Sequence, residues 1–359
     1  MAAIPDKIEQ AVRAQLQGED AEAAGLYRAF ADIARHQAEG RYDYGVLLRN
    51  LGALEEARDL LIAEVAADPA SARARYDLGV TYMSLGDYPA GWPLYEARRE
   101  IPRFPMHIPQ LPFPEWRGED LAGKRIVIFP EQGLGDMIQF ARFALTLRDQ
   151  GAQVVLLTWQ PIAALLRAGL DGVDVQAAAG AVEMGEPDFW IMAGSLPGPM
   201  GLTLRDIPGP PYLRAEAPAR RGRAFRVGLA TKGSPTNQND AHRSLGPEQA
   251  ARLRARPAAE IVSLHHEDAG DFVSTANLIA GLDLVISVDT AVAHLAGALG
   301  KPVFLLLPGF GTDWRWLRGR DDSPWYPQAR LFRGAVDGRW DLALERLEGA
   351  VAEMARAWS

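Results

Sequence analysis

The sequence predicts a helical-repeat domain followed by two doubly wound parallel α/β sheets. Three observations carry that expectation: small residues recurring every 34 positions near the N-terminus, a proline-rich break, and short apolar strands alternating with helical patterns from Lys124 onward. The 34-residue register is set by Gly18, Gly52 and Gly86, with Ala23, Ala57 and Gly91 behind it. Gly45 with Gly79, and Leu48 with Tyr82, keep the same interval.

That interval is the period of tetratricopeptide helix–turn–helix units, whose paired helices approach closely and need small residues there. The reading gives three repeats, about 4–37, 38–71 and 72–105. A plain helical bundle with coincident glycines is the alternative. Residues 102–114 then contain five prolines. Proline fixes φ and lacks a backbone donor, so neither a helix nor a central strand passes through. A stiff linker is expected over 106–123, packed along a surface by Phe104, Ile108, Leu111, Phe113 and Trp116.

The α/β part follows in order. Arg125–Phe129 reads as a strand, then a glycine turn and a helix over Asp136–Asp149. Next come strand Val154–Thr158, helix Pro161–Ala168 and a strand near Phe189–Met192. A Pro/Gly-rich stretch, 197–222, separates this series from a second. The second opens with strand Phe225–Ala230 and continues through helix 247–255, strand Glu260–His265, helix 274–281, strand Leu284–Val288, helix 290–299 and strand Pro302–Leu307. A last helix spans about 339–357. Short apolar strands between helices mark parallel sheets covered on both faces. The expected domains are 1–105, helical repeats; 106–123, linker; 124–222, a first Rossmann-like domain; and 223–359, a second, whose last helix can cross back. Ligands of such sheets bind beyond the carboxyl ends of the strands.

Composition narrows the function. The 359 residues carry 38 Lys/Arg against 46 Asp/Glu, and neither half is basic, which argues against a nucleic-acid surface. There is no cysteine, so disulfides, Cys-ligated zinc, iron–sulfur clusters and thiol catalysis are excluded. Charges interrupt the N-terminus where a signal peptide needs an apolar core, and no apolar run is long enough for a membrane span. The expectation is a cytoplasmic protein.

Three strand-to-helix turns could carry chemistry. The first is Glu131-Gln132-Gly133-Leu134-Gly135-Asp136. Its glycines let backbone N–H groups approach an anion. A nicotinamide-dinucleotide site is rejected: Ile138 stands where the third glycine belongs, and the next strand ends Leu157-Thr158-Trp159-Gln160 with no acidic residue. No Gly-Lys-Ser/Thr follows, so it is not a P-loop. Asp136 is either a general base at the crevice mouth or a helix cap. The second is Ser287-Val288-Asp289-Thr290-Ala291-Val292-Ala293-His294. The N–H groups after Asp289 and the helix dipole suit a diphosphate, Thr290 adds a hydroxyl, and His294 lies one turn on. A capping Asp289 and a buried core His294 are the alternatives. The third, Thr231-Lys232-Gly233-Ser234-Pro235 with Asn239–Ser244, places Lys232 and Arg243 near the crevice, where cations stabilise a departing phosphate. No Asp-x-Asp metal motif is present, and His265-His266 lacks metal-ligand spacing. Trp314, Trp316, Trp325 and Tyr326 read as loop packing, with stacking on a ligand as the alternative.

The span from about 112 to 358 resembles glycosyltransferase family 9, the heptosyltransferase-like enzymes, and in particular bacterial relatives with tetratricopeptide repeats in front. The resemblance rests on Glu131–Asp136 with Ile138-Gln139-Phe140, on Asp289–Pro302, and on Asp313-Trp314-Arg315-Trp316 with Ser323-Pro324-Trp325-Tyr326-Pro327. It implies a GT-B enzyme: two facing Rossmann-like domains, metal-independent and inverting. The family's catalytic aspartate matches Asp136. Its donor-binding element matches Asp289, Thr290, Ala291 and His294, and its phosphate-facing lysine is matched less closely by Lys232. Gln132, Gly133 and Gly135 would form the cleft loop, and Arg243 a second cation. The implied substrate is a nucleotide-sugar, with no cofactor and no metal. The repeats would hold an acceptor protein or peptide, a flagellin or other surface-structure protein by family analogy. A non-catalytic scaffold and a glycolipid or lipopolysaccharide glycosyltransferase are the competing readings.

Overall fold

The computed structural model describes residues 40–104, 106–219, 222, 224–235, 237, 239–255 and 259–358. The first repeat expected from the sequence, 4–37, and Gly18 lie outside these residues. The chain forms two compact units. One joins the helical segment up to Phe104 with Leu307–Arg320 and Arg333–Glu345. The other comprises Pro105–Leu306, Asp321–Phe332 and Arg346–Ser359. Among the described residues, no helix is long and apolar enough to cross a membrane.

In the first unit, two helical hairpins follow one another. They are α1 (Arg41–Leu51) with α2 (Leu54–Ala67), and α3 (Ala72–Ser84) with α4 (Tyr88–Tyr95). The 34-residue register has a backbone cause. Gly52 (φ 88°) and Gly86 (φ 86°) both occupy the left-handed region that closes a helix at least cost for glycine. The Ala53 N–H donates to Leu48 O and the Asp87 N–H to Tyr82 O, each at 2.9 Å. The earlier small positions serve close approach. A Cβ on Gly79 would lie 2.8 Å from Tyr95 N and 3.0 Å from Gly91 O, and one on Gly45 would meet Leu61 at 3.0 Å. Asp77 links the hairpins, accepting from Tyr42 Oη and Arg49 Nη1, both at 2.6 Å.

The placement of 307–320 and 333–345 departs from the expected boundary at 223–359. Those segments cluster with the helices instead of with the second sheet. Aromatic packing accounts for it. Trp314 meets Trp92 edge-on with centroids 5.4 Å apart, and Tyr88 at 5.8 Å. Such pairs add ~0.5–1.5 kcal/mol each beyond area burial. The Gly311 N–H donates to Asn50 O at 2.9 Å. Trp314, Trp316, Trp325 and Tyr326 are all buried, as packing residues are.

The second unit contains two sheets. The first has strands β1 (Arg125–Phe129), β2 (Gln153–Thr158), β3 (Asp174–Ala177) and β4 (Phe189–Met192) in the order β3-β2-β1-β4, all pairs parallel. Val127 sits opposite Val155 on one side and Trp190 on the other. The proline-rich stretch adds a short edge to this sheet: Trp190 N–H donates to Pro114 O and Trp116 N–H to Trp190 O. The second sheet has β5 (Arg226–Ala230), β6 (Glu260–Ser263), β7 (Leu284–Val288), β8 (Val303–Leu307) and β9 (Ala329–Arg333) in the order β6-β5-β7-β8-β9. Its β5–β6, β5–β7 and β7–β8 pairs are parallel. Five-residue strands such as LVISV and VFLLL are buried throughout, because helices cover both faces. The covering helices are α5 (Leu134–Asp149), α6 (Gln160–Gly169), α7 (Asp240–Arg243), α8 (Pro247–Arg254), α9 (His266–Ala269), α10 (Phe272–Ala280), α11 (Ala291–Ala298) and α12 (Asp341–Trp358). Helix α5 packs against α11, and α6 against α10, so the two sheets face each other through these helices. Contacts of α12 include an Arg252–Glu348 ion pair at 2.8 Å and a tilted ring contact of Trp358 with Phe225, centroids 6.1 Å apart.

Candidate active site

The β1 strand ends in a tight turn. Gln132 takes φ 60°, a strained backbone for a residue with a Cβ, and such strain clusters at functional turns. Its carbonyl accepts from Trp159 Nε1 at 3.1 Å. Gly133 is the N-cap of α5 and has no side chain to satisfy the helix's first N–H groups. Asp136, three residues on, does part of that work: its Oδ2 accepts the Gly133 N–H at 2.9 Å. Asp136 is therefore not the N-cap itself but a first-turn carboxylate folded back on the cap, half-buried at the carboxyl end of β1. Glu131, buried beside it, accepts from the Gly194 N–H in the turn after β4. A Cβ on Gly194 would lie 2.5 Å from that carboxylate. Glu131 thus locks two strand ends together, a role its sequence position did not indicate.

The second turn follows β7. Thr290 is the N-cap of α11, and its Oγ1 accepts the Val292 N–H at 3.3 Å. The first turn of α11 carries no acidic residue, so the positive end of its dipole is not offset there by a carboxylate of its own. Asp289, just before the cap, is half-buried, with its Oδ1 4.0 Å from His294 Nε2. His294 is buried, and its Nδ1 lies 3.0 Å from Tyr326 Oη.

The third turn joins the second through Arg243. Its Nη1 donates to Asp289 O at 2.7 Å and its Nε to Asp240 Oδ1 at 3.1 Å. Lys232 stands exposed on the same β5 turn. It is Arg243, not Lys232, that the hydrogen bonds tie to the start of α11. His265, at the end of β6, meets Thr231 Oγ1 at 3.2 Å. Burial, more than any charge, pushes its imidazole below the usual histidine range.

The first and second turns meet. A Cβ on Gly135 would lie 2.8 Å from His294 Cδ2 and 3.3 Å from Ala291 Cα. Glycine at that position lets the α5 and α11 tips touch, and the neighbouring residue is Asp136. The structure therefore sets Gly135, in the turn that also holds Gln132, Gly133 and Asp136, against Ala291 and His294 of the turn that holds Asp289 and Thr290, and ties Arg243 to Asp289. Arg142 and Tyr212 complete the surroundings and were missed from sequence. The Arg142 guanidinium is buried on α5 and packs over the rings of Tyr212, Trp325 and Tyr326 at 4.6, 5.3 and 4.9 Å. Only the Trp-Tyr pair in Ser323–Pro327 hinted at this cluster.

Two strand-to-helix turns, one carrying a carboxylate in its first turn and the other a threonine-capped helix start, thus pack against each other at the carboxyl ends of β1 and β7. The family model for glycosyltransferase family 9 (heptosyltransferase) matches residues 270–307, which hold the whole β7–α11 turn. That match supports reading the α/β unit as a glycosyltransferase. Protein FlbA of Caulobacter vibrioides is 26% identical over 328 residues, covering 76% of this chain and 54% of its own length. The chain thus spans about half the length of that curated relative. Among solved structures, it is similar to the family 9 glycosyltransferase of Veillonella parvula (13% identity, 67% of this chain and 100% of that one, TM-score 0.47). It is also similar to the E. coli ADP-heptose lipopolysaccharide heptosyltransferase II (14% identity, 65% and 99%, TM-score 0.42).

Proposed function

We propose that the protein is an inverting, metal-independent glycosyltransferase of GT-B type that moves a sugar from a nucleotide-sugar to a hydroxyl of an acceptor. The observation that supports this reading is the contact of Gly135, the neighbour of Asp136, with Ala291 and His294 of α11. The donor's diphosphate is taken to sit at α11, at the Ala291 N–H and the positive end of the helix dipole, with Thr290 capping the turn. Asp136 accepts the acceptor's hydroxyl proton as the oxygen attacks the anomeric carbon from the face opposite the diphosphate. The C–O bond to phosphate breaks, and the electron pair leaves with the diphosphate. Helix N–H groups and Arg243 stabilise that charge as it grows. Asp289 precedes the tip, where its charge would repel phosphate, so sugar hydroxyls are its natural partners. The helical hairpins are read as tetratricopeptide-type units that hold a protein acceptor in a concave groove, a reading supported by the shared turn chemistry at Gly52 and Gly86.

A thermal-shift panel of nucleoside diphosphates and their sugars tests the donor assignment. Any ligand held only by the folded state raises the melting temperature by mass action. At least one nucleoside diphosphate is expected to stabilise the protein. Failure of every member of the panel, with folding intact, would overturn the assignment.

A further inference from the structure

His294 reaches the α11 tip with one edge and a buried polar cluster with the other. That cluster fixes which ring nitrogen carries hydrogen. Arg142 donates to three carbonyls, Gln139 O at 3.0 Å, Pro208 O at 2.9 Å and Trp325 O at 3.0 Å, and to Tyr212 Oη at 3.2 Å. Its guanidinium also packs over the Tyr326 ring, 4.9 Å from the centroid. Tyr212 spends its single hydroxyl hydrogen on Ile138 O at 3.0 Å. The Tyr326 hydrogen then has two destinations: His294 Nδ1 at 3.0 Å, or Tyr212 Oη at 3.4 Å. Burial holds the Tyr326 phenol far above its usual range, so it stays a donor. The shorter bond, to the better acceptor, takes the hydrogen.

We propose that Tyr326, backed by Arg142, is a positioning residue: it keeps His294 neutral with its hydrogen on Nε2, so that the ring offers a fixed donor to the diphosphate at α11. The Nε2 edge lies on the side of the ring where the two turns meet, beside Asp289. Its neighbour Cδ2 is the atom that Gly135 must avoid, and Nε2 itself lies 4.0 Å from Asp289 Oδ1. A histidine tautomer is set by the bond its other nitrogen makes. This assignment rests on the nucleotide-sugar reading above for the identity of the anion, not for the tautomer.

Nitrogen NMR of the full chain with ¹⁵N-labelled histidine reads the tautomer directly. The chain has six histidines, and the His294→Gln variant identifies the signal. The expected wild-type pattern is an unprotonated Nδ1 and a protonated Nε2 in one form. Tyr326→Phe removes the donor and should turn this into a mixture of tautomers. Calorimetry with ADP, GDP, UDP and dTDP should show the tightest of the four weakened about tenfold by Tyr326→Phe, the scale of one lost hydrogen bond. A protonated Nδ1 in wild type, or a Tyr326→Phe protein with unchanged tautomer and affinity, would overturn the role of Tyr326. If Tyr326→Phe does not fold, the wild-type spectrum still decides. Absence of binding by all four diphosphates would overturn the donor reading itself, which the tautomer measurement leaves untouched.

Discussion

The β1–α5 and β7–α11 turns are built alike and charged oppositely. Each runs from a buried parallel strand into a helix whose first residues face the crevice. At α5 the cap is a glycine, and Asp136 folds back on its N–H. The carboxylate offsets its own helix dipole, so that tip is a poor place for a second anion. At α11 the cap is Thr290 and the first turn has no acid. The acid nearest that tip, Asp289, stands before the cap beside His294, and Arg243 adds a positive charge on the Asp289 carbonyl. On the proposed function, one supersecondary unit, with an acid inside its first turn or just before its cap, would supply a base in one place and an anion site in the other.

Substitutions that erase the difference test it. The largest effect should come from Asp136→Asn. Asparagine's oxygen can still accept the Gly133 N–H, so the melting temperature should hold, while turnover falls by ~10²–10⁴ in an assay of sugar release from the donor. Ala291→Asp puts an acid into the first turn of α11, two positions earlier than Asp136 stands in α5. Nucleoside-diphosphate affinity should drop about a hundredfold by like-charge repulsion, with stability unchanged or slightly raised, as calorimetry and thermal melts would report. Arg243→Gln removes a cation but keeps a donor, and an affinity loss of about tenfold is expected. Gly135→Ala forces a Cβ against His294 at the meeting of the two tips, and should cost ~1–3 kcal/mol in a denaturant titration.

The smallest effect concerns acid. Burial lowers the pKa of His242 and of His265, both near the β5 turn. The unfolded chain then binds more protons than the native state between the lowered pKa and the unperturbed ~6.5, so stability falls as pH drops through that window. Melting temperature should decline between pH 7.5 and 5.5, and His265→Gln should flatten the slope. An unchanged slope would place the acid sensitivity elsewhere.

Much of this was legible in the sequence. Gly52 and Gly86 announced their hairpins because a left-handed closing residue admits few side chains. Arg125–Phe129, Phe189–Met192 and Leu284–Val288 stood out as strands because they are short, apolar and flanked by turn residues. Strand β3, Asp174–Ala177, did not, since it has a single fully buried residue and polar neighbours. Strand β9 was hidden because its Arg330 and Arg333 break the apolar run. The site residues were visible as strand-end motifs, but their bonding was not. Spacing could not show that Asp136 bonds back to Gly133, that Arg243 outreaches Lys232, or that Arg142 lies under Tyr326. Those relations join residues from 3 to 184 positions apart, and only packing sets them. The aromatic motif at Trp314 was read with the second sheet, whereas its rings pack with Tyr88 and Trp92, a long-range choice that no local pattern encodes.

The division of labour between the two helix tips is tested most directly by measuring donor affinity and turnover together on Asp136→Asn. The account predicts nucleoside-diphosphate affinity equal to that of the wild type and sugar transfer or release reduced by at least about a hundredfold. Weakened diphosphate affinity with turnover retained would contradict it, because Asp136 would then belong to the anion site and the base would lie elsewhere.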